Sequence, residues 1–173
     1  MKNILIAVLI LVPMLEACAQ KPRNLAQLTF KEPIQQYLKG VSDASGSRMY
    51  DLVDMLSYGI DNTGRLVYDF YVPGRVELLA YQSKVAGFAF KISDFKSQEK
   101  LLTFIQKRYP KLALADSSRW GKIYRHADEK LVIELQTIAA SDFQGQRTGY
   151  LSVKTLSLVN AIGEQEKKYQ RKH

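Results

Sequence analysis

The chain has 173 residues, a formal net charge of +8 and one cysteine. That length suits a single domain with a real hydrophobic core, and a lone cysteine excludes any internal disulfide, so the core alone must hold the fold. The positive charge would raise nucleic acid as a partner, but no basic helix, zinc-ligand spacing or aromatic RNA motif accompanies it, and nucleic acid is not expected.

Lys2 opens the chain, and an apolar run follows over 4–12 until Pro13 breaks it. A membrane span needs about 20 apolar residues, so this run reads as an export signal rather than a permanent transmembrane helix. Ala17, Cys18 and Ala19 then supply small residues of the kind found where a signal peptidase cuts. Leu15-Glu16-Ala17-Cys18 resembles the lipobox of bacterial lipoproteins, with Glu16 departing from the small or uncharged residue usual there. The resemblance implies cleavage before Cys18, lipidation of that cysteine, and attachment to the membrane. With Ala19 next, it is compatible with passage to the periplasmic side of the outer membrane. A second reading takes Ala17-Cys18-Ala19 as an ordinary secretory site that releases a soluble periplasmic or secreted chain beginning at Gln20. Either way export is expected. The segments are then a signal peptide over 1–17, a tether over 18–25, one domain over 26–160 and a polar basic tail over 161–173.

Within the domain, residues 30–40 predict a short helix, with Pro33 in its first turn and Gly40 at its end. Residues 41–47 read as a loop. Residues 48–60 fit both helical spacing and alternation, and lean to strand because a turn at 61–64 and a further strand follow. That next strand is expected over 65–72, with Leu66, Tyr68, Phe70 and Val72 on an apolar face and Asp69 and Tyr71 on the other. Pro73-Gly74 turns the chain into strands over 76–82 and 84–92, making an antiparallel meander. Ser93-Asp94 caps an amphipathic helix over 95–109, whose stripe is Leu101, Leu102, Ile105 and Tyr109, with Lys96, Gln98, Lys100 and Lys107 facing out. Pro110 stops it. Strands over 119–125, 130–138 and 149–159 follow, with a loop over 141–148, and from Asn160 the chain is a polar frayed helix or tail. The fold class is α+β: an antiparallel meander sheet with two amphipathic helices on one face. The repeated order of helix then meander, and similar helix ends at 35–39 and 106–110, hint at two related halves.

Chemistry is harder to find. His126, with Asp128 and Glu129 nearby, could form a general-base pair, but it falls in an expected hairpin turn and reads as a solvent-accessible turn residue. Ser93-Asp94-Phe95-Lys96 and Ser97-Gln98-Glu99-Lys100 both fit the S-x-x-K pattern of penicillin-binding enzymes, without its partner motifs. Residues 61–64 begin like a calcium loop and lack its ligands. No cofactor or metal is expected. Acids on different strands, among them Asp69, Glu77 and Glu134, could still meet in space.

Aromatic residues are the more informative feature. Tyr and Trp bury large area at low entropy cost and keep a polar handle, and Tyr71, Tyr81 and Trp120 are the candidate binding residues. The expected function is an exported, lipid-anchored envelope protein that acts by binding or scaffolding. Its partners would be the membrane through Cys18 and an envelope protein or anionic envelope polymer. The alternatives are a small periplasmic hydrolase using carboxylates and an inhibitor or immunity-type partner of another exported protein.

Overall fold

Alternating apolar residues build the middle of the molecule. The computed structural model describes residues 21–41, 45–49 and 52–171; the expected signal segment, Cys18 and part of the 41–47 loop lie outside them. In chain order the elements are β1 (Arg23–Asn24), a 3-10 turn (Leu25–Gln27), α1 (Gln35–Leu38), β2 (Ser45–Met49), β3 (Leu52–Asp61), β4 (Leu66–Val67), β5 (Arg75–Tyr81) and β6 (Lys84–Ile92). Then come α2 (Phe95–Arg108), β7 (Ala113–Ser118), β8 (Gly121–Ala127), β9 (Leu131–Thr137), α3 (Ala140–Gln144), β10 (Gly149–Thr155) and α4 (Leu156–Gln170). Among the described residues, eight strands form one antiparallel sheet in the order β2-β3-β5-β6-β10-β9-β8-β7, while β1 and β4 pair in parallel beside it. The fold is α+β.

That strand order reads alike from both edges. Each half is a helix followed by four sheet strands, and the halves join through β6 and β10. The register sets Glu77 beside Ala89, Ala89 beside Ser152, and Ser152 beside Glu134, so a two-fold relation passes between Ala89 and Ser152. Under it Val76-Glu77-Leu78 corresponds to Ile133-Glu134-Leu135, and Phe88-Ala89-Phe90-Lys91 to Leu151-Ser152-Val153-Lys154. The inward members of both sets are buried, and they alternate with polar or small residues. The sequence hint of two halves is a property of the topology.

The inward face carries the main core. Val76, Leu78, Phe88, Phe90, Ile133, Leu135, Leu151 and Val153 pack against Leu101 and Ile105 of α2, both fully buried. Ile34, beside α1, is buried in the same cluster, with Tyr37 and Leu38 packed against it, so both expected helices lie on one face. Burying an aliphatic side chain contributes about 1.5–3 kcal/mol. Asp94 caps α2, its carboxylate accepting from the N–H of Ser97 at 2.8 Å. Helix α4 packs on the opposite face. Leu158, Ala161 and Ile162, at helical spacing, cover Met55, Leu79 and Ala86 near the β5–β6 hairpin. The strand expected over 149–159 therefore ends at Thr155, whose hydroxyl caps α4 by accepting from the N–H of Leu158.

Residues 65–72 depart most from expectation. The strand stops at Val67, and Tyr68 and Tyr71 exchange backbone hydrogen bonds of 2.8 and 3.0 Å across a tight turn. Asp69 sits at φ 55°, a conformation that Asp tolerates better than most residues. Asn24 Oδ1 accepts its N–H, and the Asn62 amide donates to the carbonyls of Leu66 and Pro73 to close the loop. The turn breaks the alternation: Tyr68 and Tyr71 are both buried, while Phe70 (47%) and Val72 (54%) are exposed. Gln98, expected to face out from α2, is buried instead. Strand β7 and the short α3 were not expected, β7 lying where no element was assigned and α3 overlapping the expected 141–148 loop, and β2 begins inside the expected 41–47 loop.

Candidate binding surface

Of the three aromatic candidates, one stands on open surface. Tyr71 is buried at 7% exposure, so its role as an exposed binding residue is overturned. Its ring stacks on Phe90, and its hydroxyl both donates to the Lys91 carbonyl and accepts the Ser93 N–H. Tyr81 is half-buried and packs against the small cluster beneath α4. Trp120, at the β7–β8 turn, is 49% exposed. The guanidinium carbons of Arg119 and Arg147 lie 4.3 and 4.4 Å from its ring, contacts that hold an exposed indole in place. Arg147 also lies 3.8 Å from Asp142 of α3.

The larger surface is the part of the outer sheet face that α4 leaves uncovered. Two register rows define it. Ile123, Gln136, Tyr150 and Lys91 form the row nearer the Trp120 turn. Arg125, Glu134, Ser152, Ala89, Glu77 and Gly59 form the next. Glu77, Lys91, Arg125 and Gln136 are exposed, and Glu134 and Tyr150 are half-buried. At the centre Ala89 and Ser152 are short and buried, so the floor is low between the taller groups on either side. At Gly59 the Arg75 guanidinium occupies the space a Cβ would take, 2.3 Å from the Cβ position. Arg75 passes over it to pair with Asp61 at 2.8 Å.

Glu77 and Glu134, two acids that sequence reasoning suggested might meet, do share this face; Asp69, in its turn, does not join them. Their backbones are three strand spacings apart, about 14 Å. Both carboxylates are engaged outward, away from each other. Ser57 Oγ of β3 donates to Glu77 at 2.5 Å, and the Arg125 guanidinium of β8 donates to Glu134 at 2.6 Å. Tyr150 feels both acids: burial first, then Glu77 and Glu134, raise its hydroxyl above the usual phenol value. Tyr150 was not among the aromatic candidates that the sequence singled out. Its setting depends on which strands are neighbours, which no local pattern reveals.

His126 is not the expected accessible turn residue. It lies on β8 with 7% exposure, its ring 5.2 Å from that of Tyr109. Alternation explains this, since His126 pairs with buried Ile133 and shares its inward face. Nε2 is 3.2 Å from Asp128 Oδ2, and Nδ1 is buried without a partner. Asp128 Oδ1 accepts the N–H groups of Leu131 and Lys130, and these bonds, with the histidine contact, hold its carboxyl down at about 2. Asp128 is thus built into the β8–β9 turn.

The calcium-like stretch is likewise accounted for by Asp61 pairing with Arg75 and Asn62 closing its loop. Among the described residues there is no cluster of three or more His, Cys, Asp or Glu placed to hold a metal, and no helix is long and apolar enough to cross a membrane. No protein family, curated protein or solved structure matches the chain.

Proposed function

We propose that the protein is an exported, lipid-anchored component of the bacterial cell envelope that works by binding a partner protein on the open half of its outer sheet face. The observation that carries this reading is Tyr150, a half-buried aromatic flanked by two outward-braced glutamates, on a face with Trp120 near its end. Tyrosine, tryptophan and arginine concentrate binding energy at protein interfaces, and a surface of braced charges around an aromatic needs little reordering on association. An inhibitor or immunity role is the special case in which the partner is an exported enzyme. The hydrolase alternative draws less support, because Glu77 and Glu134 lean apart instead of converging on one substrate atom. Lipidation at Cys18 would attach the domain to the periplasmic face of the outer membrane through a tether shorter than the expected 18–25, because Arg23 and Asn24 form β1 and Leu25 is buried in the core.

Two measurements test the two parts separately. Cys18→Ala should move the protein out of the membrane fraction and abolish labelling by a fatty-acid analogue; a wild-type chain beginning at Gln20 would sink the anchor and leave the binding face untouched. A photo-crosslinker at Gln136 or Tyr150 should capture one discrete envelope protein in intact cells, while one at Lys107 on α2 should not. Equal capture from both faces, or none from either, would end the docking reading.

A further inference from the structure

A second site lies away from the Trp120 turn, where β1, α1 and the β3–β4 loop meet around a cleft of about 270 Å³. Lys21, Arg23, Lys39 and Arg65 all line it, together with Tyr37 and Asn62. Among the described residues none of the four cations is within ion-pair distance of a carboxylate. Among the described residues the one acid on the wall, Asp61, is taken by Arg75. Nearby Glu32 is bonded to Thr29 and to the Lys31 N–H. Two of the cations are fixed rather than free to disperse. The Arg23 guanidinium lies 4.9 Å over the Tyr37 ring, and Arg65 donates to the Gly40 carbonyl. The backbones are also tied, the Arg23 N–H donating to the Arg65 carbonyl at 2.8 Å.

Four like charges around one small cleft repel each other. A surface selected only for solubility would spread them or interleave acids. The arrangement is relieved by an anion, and the planar donors of two arginines match phosphate oxygens. We propose that this cleft is a binding site for a phosphate group. The phosphate could belong to an anionic lipid headgroup or to a soluble phosphorylated molecule. The headgroup source rests on the anchoring proposed above: Lys21 is three residues after Cys18, within about 10 Å of it by chain length alone.

The test uses the chain carrying Cys18→Ala, so that the cleft is measured without the anchor. Pyrophosphate binding is followed by calorimetry, and vesicle binding by flotation with phosphatidylcholine alone or mixed with phosphatidylglycerol. Saturable pyrophosphate binding is expected, weakened at least about tenfold by Arg23→Gln with Arg65→Gln and reduced at high salt. Since Arg65 holds Gly40, the pair Lys21→Gln and Lys39→Gln, which has no such tie, must weaken it too. The distant pair Lys107→Gln and Lys111→Gln should leave it unchanged. Binding to phosphatidylglycerol vesicles that pyrophosphate displaces identifies the headgroup as the source; pyrophosphate binding without vesicle binding identifies a soluble ligand. If the Lys107 and Lys111 changes weaken binding as much as the cleft variants do, diffuse charge explains it and the site is overturned. Absence of binding to both pyrophosphate and anionic vesicles overturns it as well.

Discussion

The Gln98 side chain hydrogen-bonds to the backbone of Ile138 as a neighbouring strand would: Nε2 donates to the carbonyl oxygen at 2.9 Å, and Oε1 accepts the N–H at 2.9 Å. This pair fastens α2 to the end of β9. It also explains Gly149, where a Cβ would come within 2.7 Å of Gln98 Oε1. Removing a buried partner leaves both backbone groups unsatisfied, at about 1–3 kcal/mol each. Gln98→Leu should therefore destabilise the protein by about 2–6 kcal/mol in urea unfolding at unchanged slope. A loss below about 0.5 kcal/mol, the range of ordinary surface changes, would mean that the bonds are not made in solution.

A paired truncation separates the core from its imitation. Leu101 is fully buried in the main cluster, whereas Phe70 is 47% exposed and touches Phe104 edge-on. Leu101→Ala should cost about 2–5 kcal/mol, and Phe70→Ala about 1 kcal/mol or less. Equal losses would restore the strand expected over 65–72 and displace the turn.

These two cases show what the sequence made legible. Asp94, the Leu101–Ile105 stripe and Pro110 all specify α2 locally, and its observed range agrees with them to within a residue. Strands β5 and β6 were as readable, because alternation and the flanking turns agree. At Asp69 the same alternation misled: a single left-handed residue flips which side chains face in, and Tyr71 went from candidate ligand contact to core. Leu156-Ser157-Leu158 also alternates like a strand, and only Thr155 capping and the Leu158, Ala161, Ile162 spacing reveal α4. The open face was legible in part. Alternation put Glu77 and Glu134 outside, but their relation runs through β6 and β10, and that pairing is non-local.

The β8–β9 turn carries an acid-sensitive contribution. The Asp128 carboxyl is held down from the ordinary 3.8 to about 2 by N–H donors from Leu131 and Lys130 and by His126. A carboxyl whose folded-state value is depressed adds stability above its unfolded value and loses it as pH falls through the folded one. This contribution is therefore complete above about pH 4–5 and disappears toward pH 2. Asp128→Asn keeps an oxygen for the two N–H groups, so its fold should persist at neutral pH. Its acid unfolding curve should be flatter than wild type between pH 4 and 2. Parallel curves would show that the carboxylate is not held in this way.

Tyr150 offers a direct reading of the face proposed for binding. Burial raises its hydroxyl first, and negative charge on Glu77 and Glu134 raises it further by disfavouring the phenolate. Neutralising either acid should lower the Tyr150 titration midpoint, and neutralising both should lower it more, without bringing it fully to the free value because burial remains. Ring resonances of Tyr150 followed by NMR across alkaline pH give the measurement, since absorbance would mix all ten tyrosines. The Glu134–Arg125 pair is partly exposed, and such pairs contribute about 0–1 kcal/mol, so Glu134→Gln should leave the fold intact. Partner capture from Gln136 should weaken in the Glu77→Gln, Glu134→Gln double variant and in Tyr150→Ala, with unfolding midpoints close to wild type for the double variant. Lowered titration with capture unchanged would keep the geometry of the face and move the partner elsewhere. A midpoint that ignores both acids would mean that the two halves do not bring Glu77 and Glu134 to Tyr150 at all.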